Sequence, residues 1–137
     1  MQLTPYIIFN GNCEEALKFY EKVLGGTIGH INRYSDMPPG MPDGGMTGDK
    51  IMHTDFKVKG NVLFLASDGP TQDKDSGMVS LSLNFTDAGS IQSTFAAMSD
   101  GGNVTMALQD TFWGATFGML QDRFGIKWMF NYDKPKP

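Results

Sequence analysis

The chain contains one cysteine, Cys13, so no disulfide can form within it. No apolar run approaches the length that spans a bilayer, and no charged-then-apolar leader precedes the first patterned residues. Together these absences point to a cytoplasmic protein. Lysine and arginine never cluster, and the formal net charge is −4. A nucleic-acid backbone or an anionic membrane surface is therefore not an expected partner. Neither a phosphate loop nor a dinucleotide glycine fingerprint occurs, because the Gly25-Gly26 and Gly101-Gly102 pairs end helical patterns instead of opening them.

What is present is a pattern that occurs twice. Thr4 to Phe9 is a short apolar run suited to a buried strand, and Asn10-Gly11-Asn12 is a turn signal. Asn12 is placed to cap a helix, with Glu14 and Glu15 in its first turn and Ala16, Leu17, Tyr20 and Leu24 at helical spacing. The second half repeats this. Val79 to Phe85 alternates apolar and polar, Thr86-Asp87 supplies a cap, and Ile91, Phe95 and Met98 form the next stripe. Gly25-Gly26-Thr27-Ile28 then matches Gly101-Gly102-Asn103-Val104. The hairpin around Gly60 matches the one around Gly125. Each half reads β-α-β-β-β, so the expected fold is α+β. The chain is expected to be a single domain over residues 1–137, with module one at about 1–70 and module two at about 76–133. The halves differ in one loop. Asp36 to Met46 holds three prolines and three glycines, which exclude regular structure, while the second half has only a short stretch around Thr111-Phe112-Trp113-Gly114.

Two tandem βαβββ modules resemble the vicinal oxygen chelate superfamily of glyoxalases, extradiol dioxygenases and bleomycin- and fosfomycin-resistance proteins. Four stretches are similar to its PhnB-like branch: Pro5 to Cys13, Phe19-Tyr20 with Leu24-Gly25, Gln109 to Gly114, and Asp122 to Met129. The resemblance implies an open, barrel-like mixed sheet around a cleft, helices outside, and a homodimer. It implies no settled reaction. In metal-using relatives the ligands sit on the first and fourth strands of each module. The corresponding residues here are Pro5, Phe64, Ser80 and Met129, which do not supply the roughly three imidazole, carboxylate or thiolate donors that a catalytic divalent ion needs. No metal and no cofactor are expected.

Strand alternation then sorts the side chains. If Pro5 and Phe64 face the cleft, Ile7 and Phe9 do as well, making an apolar wall. Ser80, Ser82 and Met129 would line the other module's wall, and Trp113 would stand in a loop at the site or plug the core. A two-residue turn at Gly60 would put His53 and Asp55 on the same face as Phe64. His53 suits acid–base chemistry near neutral pH, with Asp55 tuning it. The expected function is the binding of a small organic molecule. Two alternatives stay open. One is a lyase, isomerase or transferase using His53 and Asp55 or an unusual metal site. The other is a structural module whose cleft is filled by its own side chains.

Overall fold

A computed structural model of the chain describes residues 1–71 and 75–136. The chain divides into two compact units, Met1–Gln72 and Asp73–Pro137. The first contains β1 (Tyr6–Phe9), α1 (Cys13–Leu24), β2 (Thr27–Ile28), β3 (Asn32–Arg33), a 3-10 turn at Tyr34–Asp36, β4 (Ile51–Val58) and β5 (Asn61–Asp68). The second contains β6 (Leu81–Phe85), α2 (Ala88–Ser99), β7 (Asn103–Asp110), β8 (Ala115–Gln121) and β9 (Lys127–Asp133). The sheet orders are β1-β5-β4-β2, with β3 also on β4, and β6-β9-β8-β7. In both units the opening strand runs parallel to the last, and the remaining neighbours are antiparallel. The same topology therefore occurs twice. Among the described residues no helix is long and apolar enough to cross a membrane.

Each helix covers one face of its own sheet. Cys13, Ala16, Leu17 and Tyr20 recur at helical spacing and are buried, as are Ile7, Phe9, Phe56, Phe64 and Ala66 on the strands. The Tyr20 ring meets Phe56 and Phe64 edge-on, and these two stack with centroids 5.2 Å apart. Burying each such ring stabilises the unit by roughly 1.5–3 kcal/mol. In the second unit Phe95 meets Phe130 edge-on at 5.0 Å, and Phe85 stacks on Phe130. Gly118 leaves little room for a side chain, because a Cβ there would lie 3.0 Å from both Phe95 and Leu108.

The α2 cap is the expected one: Asp87 accepts hydrogen bonds from the Ser90 backbone N–H and hydroxyl. The α1 cap is not. Asn12 makes no capping hydrogen bond, and the Asp68 carboxylate, arriving from the end of β5, accepts from the Cys13 N–H at 2.8 Å. The second strand of the first unit is broken into the two-residue pieces β2 and β3, whereas β7 runs unbroken for eight residues. From Met37 to Met46 the proline-rich stretch forms no helix or strand, and Tyr34 and Ser35 close its base by donating to the Lys50 and Gly48 carbonyls.

One irregularity decides where the candidate residues point. The β4–β5 turn is the two-residue loop expected: Lys59 and Gly60, both at positive φ, lie between paired Val58 and Asn61. Lys57 then pairs with Val62, but Phe56 pairs with Phe64, so Leu63 is an extra residue in β5. A bulge of this kind reverses the facing of everything beyond it. Phe64 therefore joins Phe56 beneath α1. Asp55 is paired with Leu65 on the opposite face.

Candidate functional site

The helix-free face of the first sheet carries Tyr6 and Ile8 from β1, Leu65 from β5, and His53 and Asp55 from β4. Tyr6 reaches across the intervening β5 strand, and its hydroxyl lies 3.2 Å from His53 Nδ1 with the rings 5.8 Å apart. When the hydroxyl donates, Nδ1 accepts and the proton of the neutral imidazole sits on Nε2. Tyr6 and Ile8 are 46% and 53% exposed, an unusual setting for two adjacent large residues of a strand. Asp55 is half-buried. Its Oδ1 is fully buried and has no hydrogen-bond partner among the described residues. The carboxylate lies over Gly29, where a Cβ would come within 1.8 Å of Oδ1. The Gly29 N–H donates to the Asp55 carbonyl at 2.9 Å, which fixes the two backbones side by side.

The expected grouping of His53 and Asp55 with Ile7, Phe9 and Phe64 is corrected by this register. Ile7, Phe9 and Phe64 are 9%, 4% and 0% exposed and pack on the helix side of the sheet. The physical reason is the Leu63 bulge, which no alternation rule anticipates. Tyr6 and Gly29 are the residues that sequence reasoning missed. Tyr6 is the immediate neighbour of a position assigned to the cleft, so a one-residue change of facing brings it in.

In the second unit the alternation holds on β6, β8 and β9, while β7 shifts register twice. Ser82 pairs with Met129, Met129 with Met119, and Met119 with Met106, forming one row across the helix-free face. The next row is Asn84, Asn131, Phe117 and Gln109. Asn131 Nδ2 donates to Asn84 Oδ1 and to Asp133 Oδ1. Ser80 is exposed just before β6 begins. Trp113 and Phe112 form the tip of the β7–β8 hairpin, 60% and 97% exposed and edge-on at 4.9 Å. A core plug is therefore not the role of Trp113. Lys134 braces this turn: its N–H donates to the Gly114 carbonyl, and its ammonium lies 2.8 Å from Asp110, holding that carboxyl below its ordinary pKa.

A pocket of about 250 Å³ lies elsewhere, at the start of α1, lined by Gly11, Glu14, Glu15, Asp49, Lys50 and Asp68. Several of its polar groups are already engaged. Lys50 donates to the Gly11 carbonyl, Asp68 accepts from the Cys13 and Ile51 N–H groups, and Arg33 grips both oxygens of Glu14. Cys13 is fully buried beside it, and burial, then Asp68 and Glu14, push its thiol pKa up, so a helix-start thiolate does not form. Among the described residues no group of three or more His, Cys, Asp or Glu is placed to hold a metal. The superfamily's ligand places, Pro5, Phe64, Ser80 and Met129, offer one hydroxyl and one thioether, and Phe64 faces the core. This donor set does not fit a divalent catalytic ion.

The paired βαβββ topology is that of the vicinal oxygen chelate fold. Glyoxalase-related structures from Fulvimarina pelagi and Nocardioides share it at 15% identity, with TM-scores of 0.54 and 0.56. The profile of the 3-demethylubiquinone-9 3-methyltransferase family matches residues 1–130, and the chain belongs to that PhnB-like family. A crystal structure of protein PA1353 from Pseudomonas aeruginosa is similar at 39% identity and TM-score 0.82, covering 98% of this chain and 99% of that one. A putative 3-demethylubiquinone-9 3-methyltransferase, PhnB protein, from Bacillus cereus is 24% identical with TM-score 0.79, covering 96% and 99%. Protein YjdN of Escherichia coli K12 is 28% identical over 100% of this chain and 99% of its own length.

Proposed function

We propose that this PhnB-like protein binds a small organic molecule on the helix-free face of its first sheet, with His53, Asp55 and Tyr6 supplying the polar contacts. The observation that carries this reading is the Tyr6–His53 pair, 3.2 Å apart, set beside the exposed Ile8. A polar pair on a mainly apolar surface is the usual composition of a small-molecule site. On the second unit, taken by itself, Ser80, Ser82, Met129 and the exposed Trp113 are proposed as ligand-contacting residues. The protein is proposed to act as a homodimer in the cytoplasm. No divalent metal is assigned a role, because the donors at the superfamily's ligand places do not suit one.

The Tyr6–His53 hydrogen bond also favours a second reading, an enzyme. A neutral imidazole oriented by a phenol presents its other nitrogen for proton transfer, the general acid–base role. A self-filled structural module has less support: of Phe64, Met129 and Trp113, the side chains that would do the filling, Phe64 lies beneath α1, Met129 is half-buried and Trp113 is exposed.

The test is mass spectrometry of small molecules retained by natively purified protein, wild type against His53→Ala. A retained compound lost from the variant, with circular dichroism unchanged, is the expected result. Equal retention by both proteins would remove His53 from the site.

A further inference from the structure

We infer that Asn10 is a self-modifying site, deamidated by the backbone nitrogen of Gly11 with water as the only co-reactant. The inference stands apart from the small-molecule reading and does not use the first-sheet face.

Asn10 and Gly11 lie between β1 and α1 and belong to neither. Asn10 is exposed, and its side-chain amide makes no hydrogen bond among the described residues. The Gly11 N–H likewise has no acceptor among them. Gly11 stands at φ +92°, in the left-handed region, while a Cβ built on it would meet nothing nearer than Lys50 Cε at 4.0 Å. The turn therefore requires glycine for its backbone angle and not for space. That requirement leaves the nitrogen beside the Asn10 amide unshielded by any side chain. The chain holds seven asparagines, and Asn10 alone precedes a glycine. Of the other six, five lie within strands. The sixth, Asn12, has the nitrogen that would attack it tied down, because the Cys13 N–H donates to Asp68 at 2.8 Å.

In the reaction the Gly11 nitrogen gives up its proton and bonds to the carbonyl carbon of the Asn10 side chain. The bond from that carbon to the side-chain nitrogen breaks, and ammonia leaves. Water then opens the resulting succinimide ring. Attack at the side-chain carbonyl gives aspartate, and attack at the main-chain carbonyl gives isoaspartate. Either product adds one negative charge to a chain whose formal net charge is −4. The isoaspartyl product also carries an extra main-chain carbon immediately before Gly11. The Gly11 carbonyl is the one Lys50 holds at 2.8 Å, so the change falls on the wall of the pocket at the start of α1.

Peptide mapping by mass spectrometry, on the full chain kept in warm, mildly alkaline buffer, tests this. The Asn10 peptide should gain the mass of an amide-to-acid exchange several-fold faster than any peptide holding another asparagine. The rate should rise with pH, because the attacking nitrogen must lose its proton. Fragmentation should show aspartate and isoaspartate together, the signature of the ring. Asn10→Gln, which keeps the amide on a longer arm, should stay unmodified at this position over the same period. Aspartate alone would mean direct hydrolysis and would overturn the inference. So would an Asn10 that reacts no faster than the other asparagines. A native chain that reacts far more slowly than the same chain in urea would show that the fold keeps the Gly11 nitrogen from the amide, which overturns it as well.

Discussion

Asp68 and Asp122 are 1% and 3% exposed, and each carboxylate accepts from more than one donor at once. Asp68 takes the Cys13 and Ile51 N–H groups, joining the start of α1 to the start of β4. Asp122 takes the Phe124 and Ile126 N–H groups and the indole N–H of Trp128, so one side chain shapes the β8–β9 turn and orients a buried tryptophan. Hydrogen bonds to a charged acceptor contribute more than neutral ones, and orphaning three donors at once carries a full desolvation penalty. Asp122→Ala should therefore cost on the order of 3 kcal/mol in urea unfolding. Trp128→Phe, which removes one donor and keeps most of the ring, should cost less. Equal losses would mean that the carboxylate acts through the indole alone. The sequence showed Asp122 only as part of a family motif. Its three partners lie two, four and six residues away, and nothing in composition or periodicity reveals that they converge.

At the scale of elements, the two helices give the same lesson in opposite ways. Asp87 was legible as a cap because the cap and its Ser90 partner are three residues apart. The hydrogen bonds from Ser90, first the hydroxyl and then the backbone N–H, hold the Asp87 carboxyl below its ordinary pKa. A depressed folded-state pKa means that the stabilisation is fully present above the unfolded value of about 3.9 and is lost as pH falls through the folded value. Asp87→Ala should melt lower than wild type at pH 7, and the gap should narrow progressively below about pH 4. A gap that stays constant down to pH 2 would show that the cap works without its charge. The α1 cap was not legible, because Asp68 lies 55 residues from Cys13. The sheets divide in the same manner. Alternation placed Ser82 and Met129 on one face, because β6 and β9 pair without a shift. It misplaced Phe64 because Leu63 bulges. Nothing in Asn61-Val62-Leu63-Phe64 distinguishes a bulged strand from a regular one, since Val, Leu and Phe all suit either face.

At the scale of the whole molecule, the repeated β-α-β-β-β order was legible because caps, glycine stops and alternation agreed with one another twice. A consequence of that topology is that each sheet ends on open strands, and open edges invite pairing. The second unit protects one of its edges: β7 carries two register shifts against β8, and bulges of that kind discourage a further strand from adding. Edge-to-edge joining through β7 is therefore a poor route to the expected homodimer. The hairpin that follows β7 is a better one. Phe112 and Trp113 stand 97% and 60% exposed on a turn braced by Lys134, and aromatic side chains of this kind are the common anchors of protein interfaces. Light scattering at micromolar concentration should give twice the 15.0 kDa chain mass for the wild type. The double variant Phe112→Ser, Trp113→Ser should run as a monomer with unchanged circular dichroism, because neither residue belongs to the core. A double variant that stays dimeric would move the interface away from the hairpin. A wild-type chain running at 15.0 kDa would remove the dimer itself, and the two exposed rings would then be free to serve as contacts for the ligand.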